Sequence, residues 1–347
     1  MNLSEKLDWG PLTGFVPNKR LPVYNWLYFK EGFARDLPWN LLHEWQPKGL
    51  ILDPFCGSGT TLLAAREAGL ESFGADLLPL SILASRVKTR DWDTEQLRDQ
   101  ATKLFSCSFR KVTVDFPFKR YFNPHVLADI MLFREECAQL QDKDFFLLAL
   151  ITSAMKASWA WKDGTMLKVR KHPNPPFRKF FKHRVKKMIK DIERFPGTAP
   201  VTVQKTEPWN LPLMDNSVAA VITSPPYLNQ IDYSRVYAIE NWFLEPAKLP
   251  AYLGPVAEAS YFEDMQKTLK ELLRVMQPGA RAGIVVGNAY FPKEDRVVEV
   301  DLMLAEQAEQ LGFAPEHIFI LNRRHALQHR TIKKGTVRES LIVLKKQ

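Results

Sequence analysis

Leu50-Ile51-Leu52 runs straight into Asp53-Pro54-Phe55-Cys56-Gly57-Ser58-Gly59-Thr60, and this junction constrains the fold more than any other stretch of the chain. An apolar β-type run, a Gly-rich turn and helix formers from about Thr60 to Ala68 predict strand, tight turn and helix. Gly69 stops that helix, a second strand runs from Glu71 to Asp76, and another helix begins near Pro79. That succession is half of a doubly wound nucleotide-binding sheet.

The alternation then breaks. Helical periodicity without a parallel-strand run marks Glu95 to Phe105, Pro124 to Gln139, Phe145 to Ser158 and Phe180 to Arg194. Strand patterns return at Val201 to Lys205, Val218 to Thr223, Ala282 to Gly287, Ala314 to Leu321 and Glu339 to Leu344, with helices near 235–246, 261–276 and 298–311. Residues 1–90 and 200–347 therefore read as one α/β domain, a doubly wound, mostly parallel seven-stranded sheet. Residues 91–199 read as a mainly helical insertion, with His172-Pro173-Asn174-Pro175-Pro176 as an extended connector. The last two strands flank a basic loop with no helix between them, which predicts a hairpin and one antiparallel edge strand.

The chain has 347 residues, 46% of them hydrophobic, enough for a real core, and its net charge of +9 favours a polyanionic partner. Cys56, Cys107 and Cys137 form no CxxC pair, which fits a reducing cytosol rather than a disulfide framework or a cysteine zinc site. Seven histidines without metal-ligand spacing argue against a metal. No signal peptide opens the sequence and no apolar stretch is long enough for a bilayer, so a soluble cytoplasmic protein without a membrane partner is expected. Cys56 is read as a small residue under the tight turn in preference to a nucleophile.

A Gly-rich turn at a helix N-terminus lets backbone N–H groups approach a ligand. Asp53 would repel a pyrophosphate and suits a cationic amino-acid moiety. Asp76, at the tip of the next strand, is placed to accept from both hydroxyls of a ribose. A dinucleotide site or a purely structural turn are the competing readings. Downstream, Val218 to Ile222 leads into Thr223-Ser224-Pro225-Pro226-Tyr227. Two prolines fix the backbone so that the Pro225 carbonyl points into a site, Ser224 adds a polar atom, and Tyr227 offers a stacking face. A surface turn or polyproline ligand is the bland alternative, disfavoured by the buried strand before it.

The first string resembles the adenosylmethionine-binding motif of the DNA amino-methyltransferases, and Thr-Ser-Pro-Pro-Tyr resembles their catalytic motif. The resemblance covers roughly residues 20–90 and 200–347. It implies a Rossmann-like methyltransferase fold, S-adenosyl-L-methionine as cofactor, and an exocyclic amine of a flipped base in duplex DNA as acceptor. It places Asp53, Pro54, Phe55, Cys56, Gly57, Ser58, Gly59 and Thr60 at the methionine end, and Asp76 and Leu77 at the ribose. Glu207 falls at the adenine amino group, although Glu207-Pro208 departs from the family's usual pattern. Lys30 and Phe33 lie in an aromatic segment that closes over the methionine. Ser224, Pro225, Pro226 and Tyr227 become catalytic. Ser before Pro-Pro leans towards cytosine N4, with adenine N6 next. An RNA base amine, or a non-catalytic nucleic-acid-binding relative, are further readings, and a cognate restriction endonuclease is left open as a partner.

Lys168, Arg170, Lys171, Arg178, Lys179, Lys182, Arg184, Lys186, Lys187 and Lys190 occur in a stretch with no acid, interleaved with Phe177, Phe180 and Phe181. Phosphate contact is the favoured reading over a merely solvated face. Such a stretch inside the insertion suggests a target-recognition, DNA-binding region. A second basic group, including Arg323, Arg324 and Arg330, occupies the loop of the C-terminal hairpin and is read as flanking the same duplex. Asp232 and Tyr233 either shape a base pocket or cap the next helix.

Overall fold

The computed structural model describes residues 2–163, 166–173, 176–228, 231–244, 257–328 and 332–347. In chain order the elements are β1 (Asn2–Glu5), α1 (Asp36–Trp45), β2 (Leu50–Asp53), α2 (Thr60–Glu67), β3 (Ser72–Asp76) and α3 (Pro79–Thr89). Next come α4 (Thr94–Ser106), α5 (Pro124–Ala138), α6 (Lys143–Ala157), β4 (Ala160–Asp163), β5 (Met166–Val169) and α7 (Phe177–Ile192). The chain continues through β6 (Val201–Lys205), β7 (Val218–Thr223), α8 (Tyr233–Val236), α9 (Ala238–Leu244) and α10 (Glu258–Val275). It ends with β8 (Met276–Gly287), β9 (Ala289–Phe291), β10 (Arg296–Val298), α11 (Val300–Leu311), β11 (Phe313–Gln328) and β12 (Ile332–Lys346).

The main sheet has the order β1-β11-β12-β8-β7-β2-β3-β6. β6, β3, β2, β7 and β8 are mutually parallel, and β12 runs antiparallel to both β8 and β11. The α/β class and mostly parallel sheet agree with the sequence, with two differences of detail. β1 pairs in parallel with β11 and makes an eighth strand, and the reversed strand β12 lies between β11 and β8, inside the sheet. β1 is exposed throughout and joins by backbone pairing, so it carries no apolar alternation that would reveal it.

Alternation along the central strands divides the core. Leu52, Val221, Ile284 and Ile342 face α10 and α11. Ile51, Ala220, Ile222, Val285 and Leu341 face α1 and α2. Helices α4 to α7 bury a separate apolar cluster, which also takes in Phe15, Tyr24, Trp26 and Phe29 of the N-terminal segment and Leu80, Leu83 and Val87 of α3. Their starts are marked by side chains: Asp93 accepts from Glu95 N at 2.9 Å before α4, and Asn123 accepts from His125 N at 2.9 Å before α5. The β4–β5 hairpin was not foreseeable from sequence pattern, because its residues are mostly exposed or half-buried and show no buried run.

The chain steps outward from β2 to β3 to β6, then crosses back to β7. The switch in strand order falls between β2 and β7, where the loops leaving both strands meet in one crevice.

Candidate functional site

Both sequence strings open at that crevice. Gly57 (φ 50°) and Gly59 (φ 80°) adopt left-handed backbone, and a Cβ on Gly59 would come 3.0 Å from Ser85 Oγ. The turn can therefore press against α3 only with glycine there. Cys56 is buried beneath it, its N–H bonded to Ala75 O at 2.9 Å, and burial pushes its thiol well up. Such a thiol packs and does not attack.

A first cavity is lined by every residue from Asp53 to Thr60 except Gly59, by Asp76, Leu77, Phe29 and Phe33, and by Ser224 and Pro226 from the second string. Asp53 is buried and accepts from Thr223 Oγ1 at 2.6 Å, which fastens the end of β2 to the end of β7. Burial pushes the Asp53 carboxyl up to about 6 against the opposing bonds from Thr223 and Phe55. Asp76 accepts from Leu77 N and Leu78 N on Oδ1 and from Gly57 N on Oδ2, each at 2.8 Å. A carboxylate has about four acceptor positions, so Asp76 keeps room for about one ribose hydroxyl rather than two. Burial also raises its carboxyl.

A second cavity lies across the Pro-Pro turn, lined by Pro225, Tyr227, Ile231, Tyr233, Lys30, Glu31, Thr13, Gly14, Arg324 and Glu339. Glu31 and Tyr233 line both cavities. Tyr227 packs its ring against Gly287, where a Cβ would sit 2.7 Å from Tyr227 Cδ2. Phe29, Tyr237 and Tyr233 form a stack, with Phe29 and Tyr237 centroids 5.1 Å apart and 13° between planes. Tyr237 donates to Glu31 at 2.6 Å. Asp232 caps α8, accepting from Arg235 N at 3.1 Å, so of the adjacent pair only Tyr233 faces the cavities.

Several sequence expectations are displaced. Lys30 is exposed and lines the second cavity, while Phe29 takes the place beside the Gly-rich turn, within the aromatic segment that pointed there. Glu207 is exposed and Pro208 lines the first cavity instead, because the residues from Glu207 to Asn210 turn back on themselves through Asn210 N to Glu207 O. Lys88 carried no sequence signal, yet its buried Nζ donates to Ser58 O at 2.9 Å and to Tyr24 O at 3.2 Å. Burial pulls its pKa down to about 7.

The basic stretch divides by partner. Arg178 pairs with Asp129 at 2.8 Å, and Lys187 with Asp191 at 2.6 Å and Asn25 at 3.1 Å, so both are engaged inside the fold. Arg184 is half-buried and burial lowers its pKa. Phe177 and Phe181 are core residues. Lys179, Lys182 and Lys186 form an exposed stripe on α7, and Lys168, Arg170 and Lys171 are exposed on β5 and just beyond it. Arg323 pairs with Glu5 and Arg324 with Glu339, while Arg330 lies outside the described residues. Among the described residues no cluster of His, Cys, Asp and Glu could hold a metal, and no helix is long and apolar enough to cross a membrane.

A doubly wound sheet with a Gly-rich turn and an acid-tipped second strand at its switch point defines a nucleotide-cofactor enzyme class. Residues 38–80 match the family model described as DNA methylase. The chain is 25% identical to the Type II methyltransferase M.BsoBI of Geobacillus stearothermophilus, over 90% of this chain and 83% of that protein. It is 26% identical to the Type II methyltransferase M.AvaI of Anabaena variabilis, over 92% and 85%. A shorter stretch, 28% of this chain and 19% of the relative, is 43% identical to the Type II methyltransferase M.MjaII of Methanocaldococcus jannaschii. These matches support a DNA amino-methyltransferase family for the chain. Its cofactor is S-adenosylmethionine, which the first cavity fits: Ser58 Oγ is buried there without a protein partner, beside two carboxylates suited to a cation and a sugar.

The buried acid gives a pH test. Asp53 is anionic above about pH 6 and neutral below it, so affinity for the cationic cofactor should fall as pH drops through 6, and Asp53→Asn should flatten that profile in calorimetry. Without cofactor the sign reverses. A carboxyl whose pKa is raised on folding contributes stability at low pH that is lost as pH rises through 6, so the apo variant should melt higher than wild type at about pH 8 but not at about pH 4.

Proposed function

We propose that the protein is a site-specific DNA methyltransferase that transfers the methyl group of S-adenosylmethionine to N4 of a cytosine flipped out of the duplex. The observation that carries this reading is the Ser224-to-Tyr227 turn standing between two cavities. Ser224 and Pro226 face the cavity with the Gly-rich turn, and Pro225 and Tyr227 face the other. Residues of the first cavity hold the cofactor, with Asp53 towards its cationic end and Asp76 towards the ribose. The second cavity receives the base.

S-adenosylmethionine supplies an electrophilic sulfonium methyl. An exocyclic amine is a poor nucleophile because its lone pair is delocalised into the ring. The Pro225 carbonyl and Ser224 hydroxyl accept from that amine and draw its nitrogen towards tetrahedral geometry, aimed across the turn at the cofactor. Two prolines hold the acceptors in place before the base arrives. Tyr227, braced by Gly287, stacks on the base. Held this way by Pro225 and Ser224, the amine nitrogen would accept the methyl as the donor's C–S bond breaks and would then give up its proton to solvent.

Ser224 supports cytosine N4 over adenine N6. Residues 91–199 serve as the target-recognition region, with the exposed lysines of α7 on the phosphate backbone. The Type II designation of the relatives supports a modification role beside a cognate restriction endonuclease. Nucleoside mass spectrometry of DNA from cells expressing the protein tests the reading. N4-methylcytosine is expected. N6-methyladenine would move the acceptor and keep the chemistry, and label confined to RNA would overturn the DNA assignment.

A further inference from the structure

The β4–β5 hairpin has two unlike faces. Pleating sends consecutive residues to opposite sides, and the register pairs Lys162 with Leu167 and Trp161 with Lys168. The inner face is committed to the site. Lys162 Nζ lies 3.5 Å from the centroid of the Tyr237 ring and 2.6 Å from the buried Glu240 Oε1, and Leu167 packs on the helical core. Tyr237 is the residue that bonds Glu31, at the junction of the two cavities. Hydrogen bonds to the backbone hold the hairpin in place: Trp159 N donates to Tyr121 O at 2.7 Å, Arg170 N to Trp159 O at 2.7 Å, and the Tyr121 hydroxyl to Leu167 O at 3.2 Å. β5 also packs against α8, which follows the catalytic turn.

The described side chains of the outer face are apolar and cationic. Trp161 is 50% exposed and Met166 60% exposed, on a hairpin otherwise fixed to the fold. The Arg170 guanidinium lies 5.1 Å from the Trp161 ring, and Lys171 Nζ lies 5.4 Å from the Trp159 ring. Aromatic rings paired with cations match the bases and phosphates of a nucleic acid, since stacking uses the ring and the cation meets the backbone.

Building on the DNA methylation reading above, we propose that this outer face contacts the substrate duplex and that Trp161, backed by Arg170, stacks on a base left exposed when the target base leaves the helix. Rigid attachment of the hairpin to Tyr237 sets that contact beside the base cavity. Trp161 then lowers the cost of the unpaired state without touching the reacting atoms, which makes it a positioning residue.

The test uses the full chain and a duplex carrying 2-aminopurine at the methylated position. Trp161→Ala should weaken productive duplex binding roughly 10-fold, the scale of a single base–aromatic stack, and reduce the fluorescence gain on binding. The deficit should shrink when the target position lies opposite an abasic site, because unpairing is then already done. Trp161→Phe should recover most of the affinity. Adenosylmethionine affinity and melting temperature should match wild type, which separates the effect from misfolding. Equal behaviour of Trp161→Ala and wild type on both duplexes would overturn the proposal, as would an equal deficit on both. A shift from dimer to monomer in sedimentation, with DNA binding unchanged, would make the face a protein contact and overturn it too. Absence of methyl transfer by wild type would instead sink the underlying reading, while salt-dependent duplex binding by Trp161→Ala would still test the surface.

Discussion

Tyr227→Ala and Pro226→Ala should each cut methyl transfer by about 10²-fold or more, and Tyr227→Ala should bind adenosylmethionine as wild type does, measured as initial rates beside calorimetry. The geometry gives the reason. Asp53, Asp76 and the Gly-rich turn lie on one side of the Ser224-to-Tyr227 turn, whereas the Tyr227 ring lines the cavity on the other. Removing the ring leaves the cofactor side intact and frees the base to misalign its amine. Pro226 is exposed, so its replacement removes no core packing. It relaxes a backbone whose stiffness keeps the Pro225 carbonyl aimed. A parallel drop in cofactor affinity in Tyr227→Ala would show that the two cavities are not separate functional compartments.

The second large effect concerns α7. Lys179→Glu, Lys182→Glu and Lys186→Glu combined should weaken duplex binding on the order of 10²-fold at moderate salt. The slope of log affinity against log salt should flatten by about 0.9 for each phosphate that a lysine no longer neutralises. These three lysines share an exposed face, and no carboxylate among the described residues pairs with them. Reversing Arg178 and Lys187 should behave differently. Both hold internal acids, Asp129 and Asp191, so their reversal should lower the melting temperature instead of the salt slope. Asp191 also accepts from the buried Trp26 Nε1 at 3.0 Å, joining α7 to the N-terminal segment. Triple-variant binding with an unchanged slope would mean that this stripe is only a solvated face.

The separation within α7 shows where one-dimensional reading stops. Ten cations without an acid look uniform along the chain, because Asp129, which neutralises Arg178, lies far away in sequence and Asp191, which neutralises Lys187, lies just past the end of the stretch. Helical periodicity does sort Phe177, Phe181, Val185 and Met188 to the buried side, and that sorting is available without the structure. Which cations find partners is not.

Local chemistry determined much of the rest. Strand, Gly turn, helix and acid-tipped strand are specified by neighbouring residues, because turn geometry and period-2 burial act over a few positions. The Gly-rich and Ser-Pro-Pro-Tyr strings were legible for the same reason, as was the hairpin of β11 and β12. Tertiary structure alone decided what long-range contact controls. It put an eighth strand outside β11 and set Phe29 rather than Lys30 beside the Gly-rich turn. It also brought Lys88 under Ser58, Gly287 against Tyr227, and Tyr237 beneath an unforeseen hairpin. None of these pairs is close in sequence. Each depends on how separate elements pack, and that is fixed only when the whole core closes.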